Sequence, residues 1–284
     1  MSFIITSIIY SIYLIVLCLH EIGEINIPLA IATAIFIFNF IVGLYALSEY
    51  SDLKNKKDTA QNTINSHKSI FHFKNVSFSC LKWLGIIALI FMLSANIYIF
   101  YYRNIIYLLW FSMGCIISIA LYHNKYFSIS DLPIIETLGG FLPMFLCFAA
   151  HYILTGIINF TVLIDLIPTF FSCSTFIILS FTCDIEKDSQ NGRRNLCVLL
   201  GRKRARLYCS IIASLTILST LITIYFNYLP GLPIAVATLL IFIKDIILVF
   251  TRKLMPEDRM NIIPIGSRFV IANTLALIVS ILYC

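Results

Sequence analysis

Long runs of apolar residues, separated by shorter polar segments, extend along the whole chain. A helix that crosses about 30 Å of hydrocarbon needs about 20 mostly apolar residues, and the pattern predicts nine such helices. They are expected at 3–19, 27–47, 81–102, 104–122, 135–156, 159–182, 206–226, 231–250 and 265–283. The pattern therefore predicts an all-α polytopic integral membrane protein, with residues 1–284 forming a single transmembrane domain.

The long polar loops all fall on one face of this arrangement, because they follow helices two, four, six and eight. They span 48–80, 123–134, 183–205 and 251–264. The basic residues lie in these loops or at the helix ends beside them, and only Arg103 falls on the opposite face. By the positive-inside rule the four loops are cytoplasmic. We therefore expect a multi-pass protein of the cell membrane whose N-terminus is cytoplasmic.

The composition agrees with a membrane protein. The chain is 60% hydrophobic and 12% charged, with a mean hydropathy of +0.94, whereas soluble domains carry about 25% charged residues. The net charge of +6 follows from the cationic loops, so we expect membrane topology to explain it and no nucleic-acid partner. The nine cysteines include no C-x-x-C pair, which argues against a disulfide framework or a zinc site.

Acidic and basic residues cluster in the loop after the sixth predicted helix. This segment, 184–201, reads D-I-E-K-D-S-Q-N-G-R-R-N-L-C-V-L-L-G. Asp184 and Asp188 are four residues apart and share one face of a continued helix. Two such carboxylates suit a Mg²⁺ ion whose other ligands are water and phosphate oxygens. Side chains suited to phosphate are Lys187, Arg193 and Arg194. The alternative for the aspartates alone is an ordinary loop whose charges anchor the helix ends.

The same segment resembles the second Asp-rich motif of the UbiA superfamily of membrane prenyltransferases, which reads approximately D-x-E-G-D-x-x-x-G-x-x-T-L-P-V-x-x-G. The matching positions are Asp184, Glu186, Asp188, Gly192, Leu196, Val198 and Gly201. Lys187 replaces the usual Gly, Asn195 the usual Thr and Cys197 the usual Pro. The superfamily has nine helices, a cytoplasmic N-terminus and a first Asp-rich motif after helix two, and the topology predicted above fits all three.

The first Asp-rich motif is altered. The family pattern N-x-x-x-D-x-x-x-D falls on Ser48, Asp52 and Lys56, so only the central Asp is kept. Glu49 and Asp58 are nearby acids that are further candidates for the metal site. Two interpretations stay open: Lys56 weakens one of two metal sites, or it contacts the diphosphate directly.

Two further stretches bear on the resemblance. Tyr122 and Lys125 follow the fourth predicted helix and resemble a family element that contacts diphosphate. Glu136 opens the fifth predicted helix, where related sequences often carry a basic residue, so the charge is reversed here.

Charged residues also lie within predicted helices. Such groups are costly in lipid and are candidates for function. We expect Lys244 to extend its ammonium group to the interface. For Asp165, a position at the outer surface, a buried hydrogen bond and a functional role all stay open.

The resemblance implies a Mg²⁺-dependent enzyme that transfers an isoprenyl group from an isoprenyl diphosphate to an acceptor and releases diphosphate. The acceptor would be hydrophobic or aromatic, such as a quinone precursor or a lipid. By this resemblance Asp184 and Asp188 bind one Mg²⁺, and Asp52, with Glu49 or Asp58, binds another. The residues implied to bind the diphosphate are Tyr122, Lys125, Lys187, Arg193 and Arg194. The alternatives are a terpene cyclase that acts on the diphosphate alone, and a non-catalytic membrane protein or transporter.

Overall fold

The structure is a computed structural model, and it describes residues 2–54, 78–103, 133, 136, 139–190 and 192–284. Every regular element in this part of the chain is helical, which confirms the all-α class. Several sequence predictions lie outside the described residues: the helix at 104–122, and the site candidates Asp58, Tyr122 and Lys125.

Eleven α-helices are described. They are α1 (Ser2–Ile22), α2 (Ile27–Lys54), α3 (Phe78–Arg103), α4 (Phe141–Thr155), α5 (Val162–Asp165), α6 (Ile167–Cys183), α7 (Ile185–Gln190), α8 (Leu196–Asn227), α9 (Leu232–Ile241), α10 (Ile243–Thr251) and α11 (Arg259–Leu282). Short 3₁₀ turns at Leu229–Gly231 and Pro256–Asp258 precede α9 and α11.

The chain divides into two compact units. The first comprises 26–130 with Met1 and Phe3, and the second comprises 131–284 with residues 2 and 4–25. The assignment of all 284 residues to one transmembrane domain stays a prediction.

In the first unit α2 packs against α3. Small residues allow the two helices to approach closely, as is common between membrane helices. A Cβ atom added at Gly85 would lie 2.6 Å from Leu47 Cγ, closer than real Cβ contacts come. A Cβ atom at Gly43 would meet Ala88 at 3.6 Å, an ordinary contact distance.

In the second unit α6 contacts α4, α8 and α11. Hydroxyl and amide groups cross the apolar interfaces between these helices. The hydroxyls of Thr175 in α6 and Thr216 in α8 are 3.2 Å apart, and Thr220 in α8 donates to Asn273 in α11 at 3.1 Å. Such bonds pair polar groups that water does not reach in a bilayer, and they fix how the helices align.

Five helical segments of the described chain are long and apolar enough to cross a membrane, with α5 and α6 counted together as one of them. A sixth span results if α9 and α10, which meet at a bend of 60°, are counted together. Shorter apolar helices occur at Ile8–Ile22 and Phe141–Thr155. The count of nine helices and the orientation of the N-terminus therefore stay predictions.

The largest difference from the sequence prediction is at the start of α8, which we expected near residue 206. The helix begins at Leu196 because the Asn195 side chain caps it, accepting a hydrogen bond from the Val198 N–H. A break at Gly201 (φ 70°, ψ 161°) separates the first turn of α8 from its apolar part. The predicted loop 183–205 is therefore largely helical, since it also contains α7.

Candidate functional site

The two aspartates of the Asp-rich motif lie where α6 ends. Asp184 is the C-terminal cap of α6, and α7 begins at the next residue. The Asp188 N–H donates to the Asp184 carbonyl oxygen at 2.8 Å, so one helical turn separates the two residues, as their spacing predicted. Asp184 is 7% exposed and Asp188 is fully buried. Both carboxylates therefore lie almost entirely out of solvent.

Asp188 is held by two side chains from the segment that follows. Arg193 Nη1 donates to Asp188 Oδ1 at 3.1 Å, and Asn195 Nδ2 donates to Asp188 Oδ2 at 2.9 Å. The Arg193 backbone N–H also donates to the Asp188 carbonyl oxygen at 2.9 Å. A buried carboxylate is tolerated when it is paired in this way. Each carboxylate oxygen has two acceptor positions, so Asp188 keeps acceptor capacity for a cation.

Gly192 explains how the chain returns to Asp188. Its φ of +72° lies in a region that side chains rarely adopt, and its N–H donates to the Ser189 carbonyl oxygen at 3.1 Å. This turn ends α7 and brings Arg193 back against Asp188. The glycine of the motif therefore has a conformational role in this chain.

Glu136 caps the start of α8. Its Oε1 accepts a hydrogen bond from the Cys197 backbone N–H at 2.9 Å, and its side chain is fully buried. Anionic groups are stabilised at helix N-termini, where backbone N–H groups are unpaired and the helix dipole is positive. The sequence did not predict this contact, because the two residues are 61 positions apart.

Arg202 joins three segments just after the break at Gly201. Its Nη1 donates to the Thr182 carbonyl oxygen in α6 at 3.2 Å. Its guanidinium also contacts the Glu186 carboxylate in α7 and the carbonyl oxygen of Leu254, which follows α10. The hydrogen bond from Arg202 lowers the pKa of the exposed Glu186 carboxyl. Sequence reasoning gave Arg202 only a role in topology, so this contact was missed.

The predicted site residues fall into three groups. Asp184, Asp188 and Arg193 come together in the second unit, with Lys187 half-buried on α7 and Arg194 exposed. Asp52 and Glu49 lie near the end of α2 in the first unit. Those outside the described residues are Asp58, Tyr122 and Lys125.

The chemistry of the aspartate pair suits Mg²⁺. Among the described residues no group of three or more His, Cys, Asp or Glu side chains is arranged to hold a metal ion. Mg²⁺ is commonly bound by one or two carboxylates, with water and substrate phosphates as its other ligands. Asp184 and Asp188 therefore fit a metal that is completed by a phosphate-bearing ligand, rather than a site made of protein ligands alone.

A second polar cluster links helices elsewhere in the second unit. Glu21 near the end of α1 pairs with His151 in α4, and it accepts a hydrogen bond from Asn159 Nδ2 at 2.7 Å. Asn227 Nδ2 donates to Asp165 Oδ1 at 2.5 Å. Asp165 therefore makes the buried hydrogen bond that was one of the interpretations left open by the sequence.

The sequence profile of the UbiA prenyltransferase family matches residues 9–259. This chain belongs to the UbiA prenyltransferase family. The match covers most of the 284 residues, including the Asp184–Gly201 segment. The resemblance drawn from the motif is confirmed. No curated protein sequence matches this chain.

Solved structures of UbiA homologs share the fold. One from Aeropyrum pernix K1, in its apo form, has a TM-score of 0.69 and 13% identity, over 96% of this chain and 97% of that chain. A UbiA homolog from Archaeoglobus fulgidus bound to GPP and Mg²⁺ has a TM-score of 0.56 and 14% identity, over 97% and 96%. The same protein bound to DMAPP and Mg²⁺ has a TM-score of 0.57 and 17% identity, over 97% and 96%.

Proposed function

We propose that this chain transfers an isoprenyl group from an isoprenyl diphosphate to a hydrophobic or aromatic acceptor and releases diphosphate. The observation that carries the proposal is the buried pair Asp184 and Asp188 at the end of α6, with Arg193 against Asp188, in a member of the UbiA prenyltransferase family. The Archaeoglobus fulgidus homolog, bound to GPP or DMAPP with Mg²⁺, supports a donor of this class.

In this proposal the metal is Mg²⁺. Asp184 and Asp188 hold one ion, and Asp52, with Glu49 or Asp58, holds a second. A metal bound there would supply positive charge that stabilises the departing diphosphate. Arg193 and Asn195 keep the Asp188 carboxylate in one orientation through the hydrogen bonds described above. The carboxylate therefore does not have to reorient when the isoprenyl diphosphate binds.

The cationic side chains bind the diphosphate itself. We propose Lys125, Lys187, Arg193 and Arg194 for this role, with Tyr122 as a neutral donor. Positive charge at fixed positions favours the transition state, because negative charge accumulates on the diphosphate as the allylic C–O bond breaks. The bond's electron pair leaves with the diphosphate, the acceptor's electron pair forms the new bond to carbon, and the acceptor loses a proton.

The apolar helices act on the isoprenyl part of the donor. They hold the isoprenyl tail of the donor and keep water from the allylic cation, which water would otherwise capture. The distribution of Lys and Arg along the sequence supports a cytoplasmic position for the Asp-rich segments in the cell membrane. The donor's diphosphate would then arrive from the cytoplasm while its tail stays in the bilayer.

The experiment uses full-length protein in lipid nanodiscs with GPP or DMAPP, and measures released diphosphate. Release that requires Mg²⁺ and stops with EDTA supports the proposal, as does a prenylated lipid found by mass spectrometry only in cells that express the protein. A cyclic hydrocarbon or alcohol formed from the donor alone would identify a cyclase. Failure to release diphosphate from any allylic donor would contradict the proposed enzyme.

A further inference from the structure

Glu136 combines full burial with incomplete hydrogen bonding. Its Oε1 accepts the Cys197 N–H at 2.9 Å, whereas its Oε2 is buried and has no hydrogen-bond partner among the described residues. Burying a carboxylate is costly unless its hydrogen bonds and charge are satisfied. The helix N-terminus offsets part of this cost.

The contact fixes the first turn of α8. The N–H groups of three consecutive residues are paired: Cys197 with Glu136, Val198 with the Asn195 side chain, and Leu199 with the Asn195 carbonyl oxygen. Asn195 Oδ1 is therefore committed to capping the helix. Its Nδ2 is left to donate to Asp188 Oδ2 at 2.9 Å. A continuous set of contacts therefore joins Glu136, through the helix start and Asn195, to Asp188.

The contact needs a backbone N–H at position 197 and an acceptor at position 136. Proline at position 197 would remove the donor, because proline has no backbone N–H.

We propose that Glu136 is a positioning residue that fixes the orientation of the Asp188 carboxylate through the Cys197 N–H and Asn195. The inference rests on the proposed function in that Asp188 binds a Mg²⁺–diphosphate. We assign Glu136 no direct contact with the metal or the substrate. Its effect reaches the site because Asn195 both caps the helix and donates to Asp188.

The test compares variants that remove the contact with matched variants that keep it. Cys197→Pro removes the N–H in the first turn of the helix, where proline is tolerated best, whereas Cys197→Ser keeps it. Glu136→Leu removes the acceptor, whereas Glu136→Gln keeps it. Asn195→Ser keeps a good capping side chain but removes the amide that reaches Asp188.

The readout is thermal stabilisation of the full-length protein by Mg²⁺ together with inorganic pyrophosphate, which requires no turnover. We expect Cys197→Pro, Glu136→Leu and Asn195→Ser to raise the half-saturating Mg²⁺ concentration by about 10-fold or more, as the loss of groups that orient metal ligands does. Cys197→Ser and Glu136→Gln should leave it nearly unchanged. Asn195→Ser provides the comparison if Glu136→Leu does not fold.

The outcomes separate the two proposals. If wild-type protein is stabilised by Mg²⁺–pyrophosphate and the variants shift that titration, but no allylic donor is turned over, the positioning role stands and the enzyme proposal fails. If the variants lower the melting temperature without moving the Mg²⁺ titration, Glu136 has only a structural role and the inference is overturned. An absence of Mg²⁺–pyrophosphate stabilisation in wild-type protein would overturn it as well.

Discussion

Arg193 donates a hydrogen bond to Asp188 across 3.1 Å, and the two side chains are 6% and 0% exposed. From the sequence, Arg193 was expected to bind the diphosphate. The structure places its guanidinium against the carboxylate of the motif, and its binding of the diphosphate stays a prediction. An arginine in this position balances the buried charge and, with Asn195, fixes the direction of the carboxylate.

Removing Arg193 should leave Asp188 as an uncompensated buried charge. We expect Arg193→Leu to destabilise the protein by about 3–5 kcal/mol, the usual cost of breaking a buried pair on one side. Arg194→Leu is the matched control, since Arg194 is adjacent and exposed, and it should change stability little. Thermal unfolding in detergent measures both. Equal effects of the two substitutions would show that the buried pair has no special role.

Gly201 should be intolerant of any side chain, although space is available. No atom lies within 4 Å of a Cβ added there, but the φ of +70° is strained for other residues. We expect Gly201→Ala to cost about 1–3 kcal/mol and to weaken binding of Mg²⁺–pyrophosphate, because the first turn of α8 would shift. Gly43→Ala in α2 is the control, since its new Cβ meets only ordinary contacts. Similar stability of both variants would contradict this interpretation.

The contact between Arg202 and Glu186 should make stability depend on pH. The hydrogen bond from Arg202 lowers the pKa of Glu186 below its usual value of 4.5. A lowered folded-state pKa gives stability that is present above the unfolded-state value and is lost as the pH falls through the folded-state value.

We therefore expect the stability difference between wild-type protein and Glu186→Gln to be constant above about pH 5 and to shrink below pH 4.5. Thermal unfolding across this range measures it. In an Arg202→Met background, the stability difference caused by Glu186→Gln should be much smaller. If this stability difference is unchanged, Arg202 does not cause the lowered pKa of Glu186.

The Glu21–His151 pair should contribute to stability but not to catalysis. His151 is 1% exposed and Glu21 is 29% exposed, so the pair links α1 to α4 and is partly shielded from solvent. A double-mutant cycle with Glu21→Gln and His151→Phe should give a coupling energy of about 0.5–3 kcal/mol. Diphosphate release by the folded fraction should be unchanged. A large fall in its rate would place this pair in the reaction.

Hydropathy predicted the helices that consist of an uninterrupted apolar run. The predicted spans 27–47 and 81–102 correspond to α2 and α3, with ends extended by a few residues. The start of α8 was missed because residues 196–205 include three basic side chains and do not resemble a membrane span. Only the cap at Asn195 indicates that a helix begins there.

The Asp-rich segment was predictable as a site, but its internal contacts were not. The four-residue spacing of Asp184 and Asp188 predicted that they lie one helical turn apart, and they do. No sequence signal joined Glu136 to Cys197, because that contact depends on how distant helices pack. The Asn195 amide could likewise be assigned to capping, but not to its second bond with Asp188.

The central claim is that Asp184 and Asp188 bind the Mg²⁺ that an isoprenyl diphosphate requires for ionisation. The most direct test is the rate of Mg²⁺-dependent diphosphate release from GPP by wild-type protein, Asp184→Asn, Asp188→Asn and the control Glu257→Gln, whose side chain is exposed. We predict that each aspartate variant loses at least about 100-fold in rate, while Glu257→Gln retains wild-type activity. Undiminished release by both aspartate variants would contradict the account.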